Sequence, residues 1–160
     1  MKLSLSNTRI GFASAHFIIG HNKCGKLHGH NYFLNVEVEG EVPEEDDYLI
    51  DFSELKEIVM KIVDPLDHKV LIPEKAAHLT VTKDRPEHIR CTLHGDERKT
   101  YLFPEEDVIF LPIRAISAEF LSEYLVKELQ EKLPEYKLTI TVFETPSSSA
   151  TSTSSDIRRR

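Results

Sequence analysis

Apolar residues near the amino terminus recur at period two. Ile10 and Phe12 lie in step with Ser14 and His16, and Tyr32, Leu34, Val36 and Val38 repeat the pattern before Gly40. This alternation predicts two strands, over 2–18 and 29–40, joined by the polar loop Gly20 to Leu27. A connection of that length favours antiparallel neighbours. The period then changes. Leu55, Ile58, Val59, Ile62 and Val63 recur at helical spacing between Ser53, read as the N-cap, and the breaker Pro65. A second helix is predicted from the cap Ser117, with Glu119 in its first turn, through Leu121, Tyr124, Leu125 and Leu129 to Pro134. Tyr136, Leu138, Ile140 and Val142 return to period two and end at Glu144.

Between the helices, residues 74–113 carry four short β-prone pieces: His78 to Thr82, His88 to Leu93, Thr100 to Phe103 and Val108 to Leu111. Arg85-Pro86, Gly95-Asp96 and Pro104 separate them, so this stretch reads as an inserted β excursion. The end of the chain, Pro146 to Ser155 followed by Arg158 to Arg160, offers few apolar side chains to offset ordering entropy. The organisation expected is therefore one α+β domain over 1–151 with a mobile tail over 152–160, unless a partner subunit pairs with it. No internal repeat is visible.

Composition narrows the function classes. With 160 residues, 20 Lys plus Arg and 27 Asp plus Glu, the formal charge is −7, which disfavours a polyanion binder such as a nucleic-acid protein. No run approaches the ~18 apolar residues of a membrane span, and the start MKLSLSNTRIGF lacks the apolar block of a signal peptide. A cytoplasmic protein is expected. Cys24 and Cys91 are too few for a disulfide scaffold.

The chemistry concentrates in the first hairpin. His28-Gly29-His30 places two imidazoles on one face of a strand, and His16 on the preceding strand can come opposite them. One histidine alone reads as a partly buried side chain; three converging imidazoles form a zinc arrangement with a vacant fourth position, and Gly29 adds no side chain to crowd it. Cys24, in the connecting loop, has two readings: a fourth ligand that closes a structural zinc shell, or a free thiol whose pKa falls near the metal. Spacing does not choose between them. His21, in the same loop, reads as a solvated histidine. Asp67-His68 pairs a carboxylate with an imidazole, a combination suited to proton transfer if the two side chains meet. Glu144 ends the last clear strand, where a carboxylate can hold an amide-like ring edge through two parallel hydrogen bonds or simply face solvent. His78, His88 and His94 show no metal spacing, and Cys91, in step with Ile89 and Leu93, reads as packing.

The segments FASAH (Phe12 to His16), CGKLHGHNY (Cys24 to Tyr32), IDFSELK (Ile50 to Lys56), LDHKVL (Leu66 to Leu71) and FETP (Phe143 to Pro146) occur in this order. Together they resemble the 6-pyruvoyltetrahydropterin synthase and 6-carboxytetrahydropterin synthase family, over residues 8–72 and again from about 113 to 151. The resemblance implies a tunnelling fold, an antiparallel sheet with two helices on one face, whose subunits join sheets into a barrel, commonly a homohexamer built as a dimer of trimers with active sites between subunits. It implies Zn2+ on His16, His28 and His30, Cys24 as catalytic thiol, Asp67 and His68 as its proton-relay partners, and Glu144 as pterin anchor. The implied substrate is 7,8-dihydroneopterin triphosphate, which loses triphosphate. The three-residue gap between Cys24 and His28 resembles the carboxy-forming branch, which also releases acetaldehyde and feeds 7-deazaguanine (queuosine) synthesis. The pyruvoyl branch, a dihydroneopterin aldolase on the same scaffold and a non-catalytic pterin-binding zinc protein are the alternatives. Three departures from the family pattern stand out: Ile116-Ser117 replaces the usual Pro-Thr before Glu119, the aromatic residue usual in the last strand is absent near Ser152, and the 74–113 excursion is long.

Overall fold

A computed structural model of the chain describes residues 1–94 and 99–157, without the side chains of residues 7–9 and 157. Strand β1 (Lys2–His16) and strand β2 (His28–Glu39) form the predicted antiparallel pair, in register from Lys2 opposite Glu39 to His16 opposite His28, with one irregularity between Ser6 and Gly11. Helix α1 (Phe52–Val63) follows. Its N-cap is Asp51 rather than Ser53, because the Asp51 carboxylate accepts the backbone N–H groups of Ser53 and Glu54 at 2.7 and 3.1 Å. A 3-10 turn over Asp64–Leu66 carries Pro65 and leads into strand β3 (Lys69–Pro73).

The insertion divides in two. Strands β4 (Leu79–Arg85), β5 (His88–Leu93) and β6 (Thr100–Pro104) make a separate three-stranded antiparallel sheet, whereas β7 (Val108–Leu111) joins the main sheet. The predicted Gly95-Asp96 break lies outside the described residues. Helix α2 (Ala118–Lys132) precedes β8 (Lys137–Thr145). Ser117 is its N-cap, but the Ser117 hydroxyl serves the Glu119 carboxylate instead of a backbone N–H and, with Glu119's own backbone N–H, holds that carboxylate below its usual range.

The main sheet runs β7-β3-β1-β2-β8-β9. Its centre is antiparallel as expected, but β3 pairs parallel to both β1 and β7, so the sheet is mixed. The antiparallel expectation missed this because β3, the short run KVLIP, shows no alternation between buried and open faces. A second difference concerns the tail. From Ser148 to Thr153 the chain forms strand β9, antiparallel to β8, and Ser154–Ile157 form a helical turn, α3. Hydroxyl pairs, Thr141 with Thr151 at 2.8 Å and Ser122 with Ser152 at 2.8 Å, accompany the β8 ladder there. Backbone pairing therefore orders a segment that composition alone leaves loose. Arg158 to Arg160 lie outside the described residues.

Both helices bury one stripe against one face of the main sheet. Leu55, Val59 and Val63 of α1 and Leu121, Leu125 and Leu129 of α2 share a core with Ile10, Phe12, Tyr32, Leu34, Val36, Leu138, Ile140 and Val142. Each such aliphatic side chain contributes about 2 kcal/mol of burial free energy. A second cluster, Phe17, Ile72, Ile89, Cys91 and Leu93, seats the small sheet. Cys91 packs there as predicted, and burial pushes its thiol up to about 11. No helix among the described residues is long and apolar enough to cross a membrane.

Candidate active site

Strand alternation builds the histidine cluster. His16 lies opposite His28 and Ser14 opposite His30, and all three imidazoles project on the face that also carries Phe12 and Tyr32. Their ring centroids are 4.5, 5.2 and 5.0 Å apart, and their ligand atoms lie within 4.8 Å of one another. Among the described residues, no other group of His, Cys, Asp or Glu is gathered in this way. Two backbone carbonyls fix the rings: His16 Nδ1 donates to the Ile116 oxygen and His28 Nδ1 to the Lys26 oxygen, each at 2.7 Å. A ring nitrogen that donates to a carbonyl must carry the proton, so in the neutral imidazole Nε2 is left with its lone pair. Burial holds His16 neutral, with its pKa lowered to about 4; the Ile116 carbonyl opposes the shift, and His28 and His30 add to it.

The result is a concentration of polar atoms without protein partners. His16 Nε2 and His30 Nε2 are buried without a hydrogen-bond partner, and Glu144 Oε1 stands 3.7 and 3.5 Å from them. A carboxylate facing the His16 lone pair is repulsive unless a cation lies between them. Three imidazoles, two of them oriented by carbonyls, form the donor set of an open zinc site, so these residues fit a metal ion. Glu144 reaches this point because it continues the period-two face of Leu138, Ile140 and Val142 along β8. On the other edge of the strand, Phe143 pairs with Ser149 and Thr145 with Ser148, so the β8/β9 ladder shifts register at Glu144.

Cys24 is half-buried in the loop between β1 and β2 and lies outside the cluster of ligand atoms. The loop is closed on itself. Ile18 N–H donates to the Cys24 oxygen at 2.7 Å, Cys24 N–H donates to His21 Nδ1 at 3.0 Å, and Gly25 N–H donates to the His21 oxygen at 2.8 Å. His21, read as merely solvated, thus ties the backbone at Cys24. Gly25 has no alternative, since a Cβ there would stand 2.1 Å from the His21 oxygen. The role given to Gly29 changes as well: it faces away from the histidines, and its missing Cβ spares the Ser14 carbonyl, 3.0 Å from where that atom would be.

Asp67 and His68 do meet. Asp67 Oδ2 and His68 Nδ1 are 2.6 Å apart, while Asp67 Oδ1 accepts the Ala13 N–H at 2.7 Å. That backbone bond, with His68 as a lesser cause, holds the Asp67 carboxylate below its ordinary range. His68 has φ +57, a left-handed conformation rare for a side-chain-bearing residue, and its N–H donates to the Ala13 oxygen at 2.7 Å. The imidazole is exposed, in an open cleft of about 570 Å³ lined by Ala13, Ala15, Gly29, Asn31, Lys69 and Asp107, with Ser14, His30 and Val70 also bordering it. Ala13, Ala15, Gly29 and Asn31 alternate with the histidine positions, so this cleft opens on the opposite face of the sheet. A single chain therefore gathers the three histidines and Glu144, and the Asp67–His68 pair is not among the gathered ligand atoms.

A family model described as 6-pyruvoyl tetrahydropterin synthase matches residues 6–155. The chain belongs to this family. It is 37% identical, over 83% of its length and 80% of the relative's, to a putative 6-carboxy-5,6,7,8-tetrahydropterin synthase of Methanocaldococcus jannaschii. It is 32% identical to the 6-carboxy-5,6,7,8-tetrahydropterin synthase of Haemophilus influenzae, covering 86% of this chain and 89% of that protein. The crystal structure of 6-pyruvoyltetrahydropterin synthase from Plasmodium vivax superposes with a TM-score of 0.86 at 30% identity, covering 96% of each chain.

For this tetrahydropterin synthase family member, sequence pattern was sufficient to find the side chains of the histidine cluster but not what orients them. The Ile116 and Lys26 carbonyls and the Ala13 N–H act through the backbone, which carries no residue-type signal. Tyr32 was legible only as an apolar strand position. Its ring lies 5.6 Å from His30 and 6.0 Å from His16.

Proposed function

We propose that the protein is a zinc-dependent lyase of the 6-carboxytetrahydropterin type, acting on 7,8-dihydroneopterin triphosphate with loss of triphosphate and release of acetaldehyde. The observation that carries this reading is the convergence of three imidazoles and one carboxylate in a family of tetrahydropterin synthases. His16, His28 and His30 hold the zinc, whose Lewis acidity would make protons on the substrate side chain more removable. Glu144 grips the amide-like edge of the pterin. Cys24 and the Asp67–His68 pair move protons on the two sides of the side chain. Asp67 keeps His68 in the tautomer with Nδ1 protonated, leaving Nε2 as the atom that takes up or gives a proton.

In this reading the relay comes from a neighbouring copy. The strand positions that line the His68 cleft alternate with those of the histidine cluster, so a second copy would complete a site holding both, as in the homohexameric, dimer-of-trimers assembly expected from the resemblance. The whole-length relatives named above favour the carboxy branch, and the Plasmodium structure is of a pyruvoyl enzyme. The deciding experiment incubates the zinc-loaded protein with 7,8-dihydroneopterin triphosphate and, separately, with 7,8-dihydroneopterin, and identifies products by mass spectrometry. The proposal expects 6-carboxytetrahydropterin, acetaldehyde and triphosphate from the first substrate. A 6-pyruvoyl product assigns the other branch, cleavage of only the second substrate assigns an aldolase, and no turnover by a protein that binds zinc and pterin makes it a binding protein.

A further inference from the structure

Among the described residues, the buried side-chain atoms without a hydrogen-bond partner include His16 Nε2, His30 Nε2 and Tyr32 Oη. The two nitrogens are explained by a metal. The hydroxyl is not, and a buried hydroxyl left unsatisfied costs stability, so one retained beside a site calls for a partner that arrives later. Tyr32 is fully buried, its ring stacked on Phe12 at 4.9 Å and meeting His16 and His30 edge-on. Its position across the sheet identifies that partner. The β2/β8 ladder runs Leu34 opposite Val142 and Phe33 opposite Phe143, and period-two alternation beyond its end puts Tyr32 and Glu144 on the face of Leu34 and Val142, where both stand against His16 and His30. A phenol carries its proton at neutral pH, so the hydroxyl is available as a donor.

We infer that Tyr32 is a positioning residue for Glu144: its hydroxyl donates to the carboxylate when the carboxylate turns from the imidazoles to hold a ligand. A carboxylate that accepts two parallel hydrogen bonds from a ring edge retains a free lone pair on each oxygen. A donor fixed in the protein can use one of these, limiting rotation about the carboxylate and favouring the gripping orientation before the ligand binds. Glu144 sits at a strand irregularity, where the ladder alone constrains it less. Tyr32, on the regular neighbouring strand, supplies the fixed point.

The inference rests on the reading of Glu144 as pterin anchor, and the test separates the two. Equilibrium binding of 7,8-dihydroneopterin to the zinc-loaded full chain is measured for wild type, Tyr32→Phe, Glu144→Ala and the double variant, with zinc content and Tm recorded for each. Tyr32→Phe should bind pterin about 10-fold more weakly, as expected for losing a hydrogen bond to a charged group. It should keep its zinc and have a Tm at or above wild type, because the orphaned hydroxyl is gone. On the Glu144→Ala background the same change should have no effect on affinity. Wild-type affinity in Tyr32→Phe, an equal loss on both backgrounds, or loss of zinc would each overturn the inference. If wild type binds no dihydroneopterin, or Glu144→Ala binds as wild type does, the anchor reading itself fails and takes the Tyr32 inference with it.

Discussion

Acidifying the metal-free protein should destabilise it through His16. Burial lowers this histidine from its ordinary 6.5 to about 4, so the folded state keeps it neutral where the unfolded chain takes up a proton. The stabilisation is therefore present in full above the unfolded value and is lost as pH falls from 6.5 towards 4. The 2.5-unit difference between those two values corresponds to about 3 kcal/mol, with about 2 kcal/mol of it already lost by about pH 5. His16 is fully buried, so solvent screening does not erode the figure. Urea unfolding of chelator-treated protein at about pH 7.5 and about pH 5 measures the loss. His16→Gln, which keeps an amide donor and cannot titrate, provides the comparison, because other groups contribute equally to both proteins. The wild type should lose about 2 kcal/mol more than the variant over that interval. Parallel losses would refute the assignment of a neutral, desolvated His16. Adding zinc should move the wild-type transition to lower pH, since protons and metal compete for the same nitrogen.

Cys24→Ala should retain zinc and the folded state while turnover falls by roughly 100-fold or more, as for the loss of a positioned acid-base group. Zinc content, Tm and turnover on that variant give the answer, and release of zinc would make Cys24 a structural ligand. Asp67→Asn should keep the metal, because Asp67 bonds Ala13 and His68 and no member of the histidine cluster. Its kcat should drop about 10-fold or more through a mis-set His68 tautomer; an unchanged kcat would remove the pair from the relay.

The parts of this molecule legible in its sequence are those where a side chain's type and its period agree. Phe12, Ser14 and His16 share one face with His28 and His30 because period two leaves no other option, so the histidine cluster could be read before the fold. Helices α1 and α2 were equally legible, each with an apolar stripe and a proline beyond its end. What escaped depends on relations between segments distant in sequence. Strand β3 has no alternating face because both sides are covered, and its parallel pairing with β1 is a property of topology. Strand β9 is Ser- and Thr-rich, and its order comes from the ladder offered by β8.

The site shows the same division, and it explains how the clustered histidine rings can be precise without being held by side chains. Ile116 lies just before α2, and its carbonyl is at hydrogen-bonding distance from His16 because the helix is packed on the sheet. Lys26 precedes β2, and its carbonyl orients His28 through a local turn. His16 is thus oriented by tertiary packing and His28 by local backbone. A core mutation that shifts α2 should therefore loosen His16 first and leave the His28 ring in place. The Asp67–His68 pair has a third kind of support, two bonds to the Ala13 backbone, which hold it at β1 independently of both. The histidine cluster and the candidate proton relay are consequently built on separate attachments to one strand, with Ala13 and His16 facing opposite sides of the sheet. Such a strand can serve two sites at once, giving its histidine to one and the pair beside it to another.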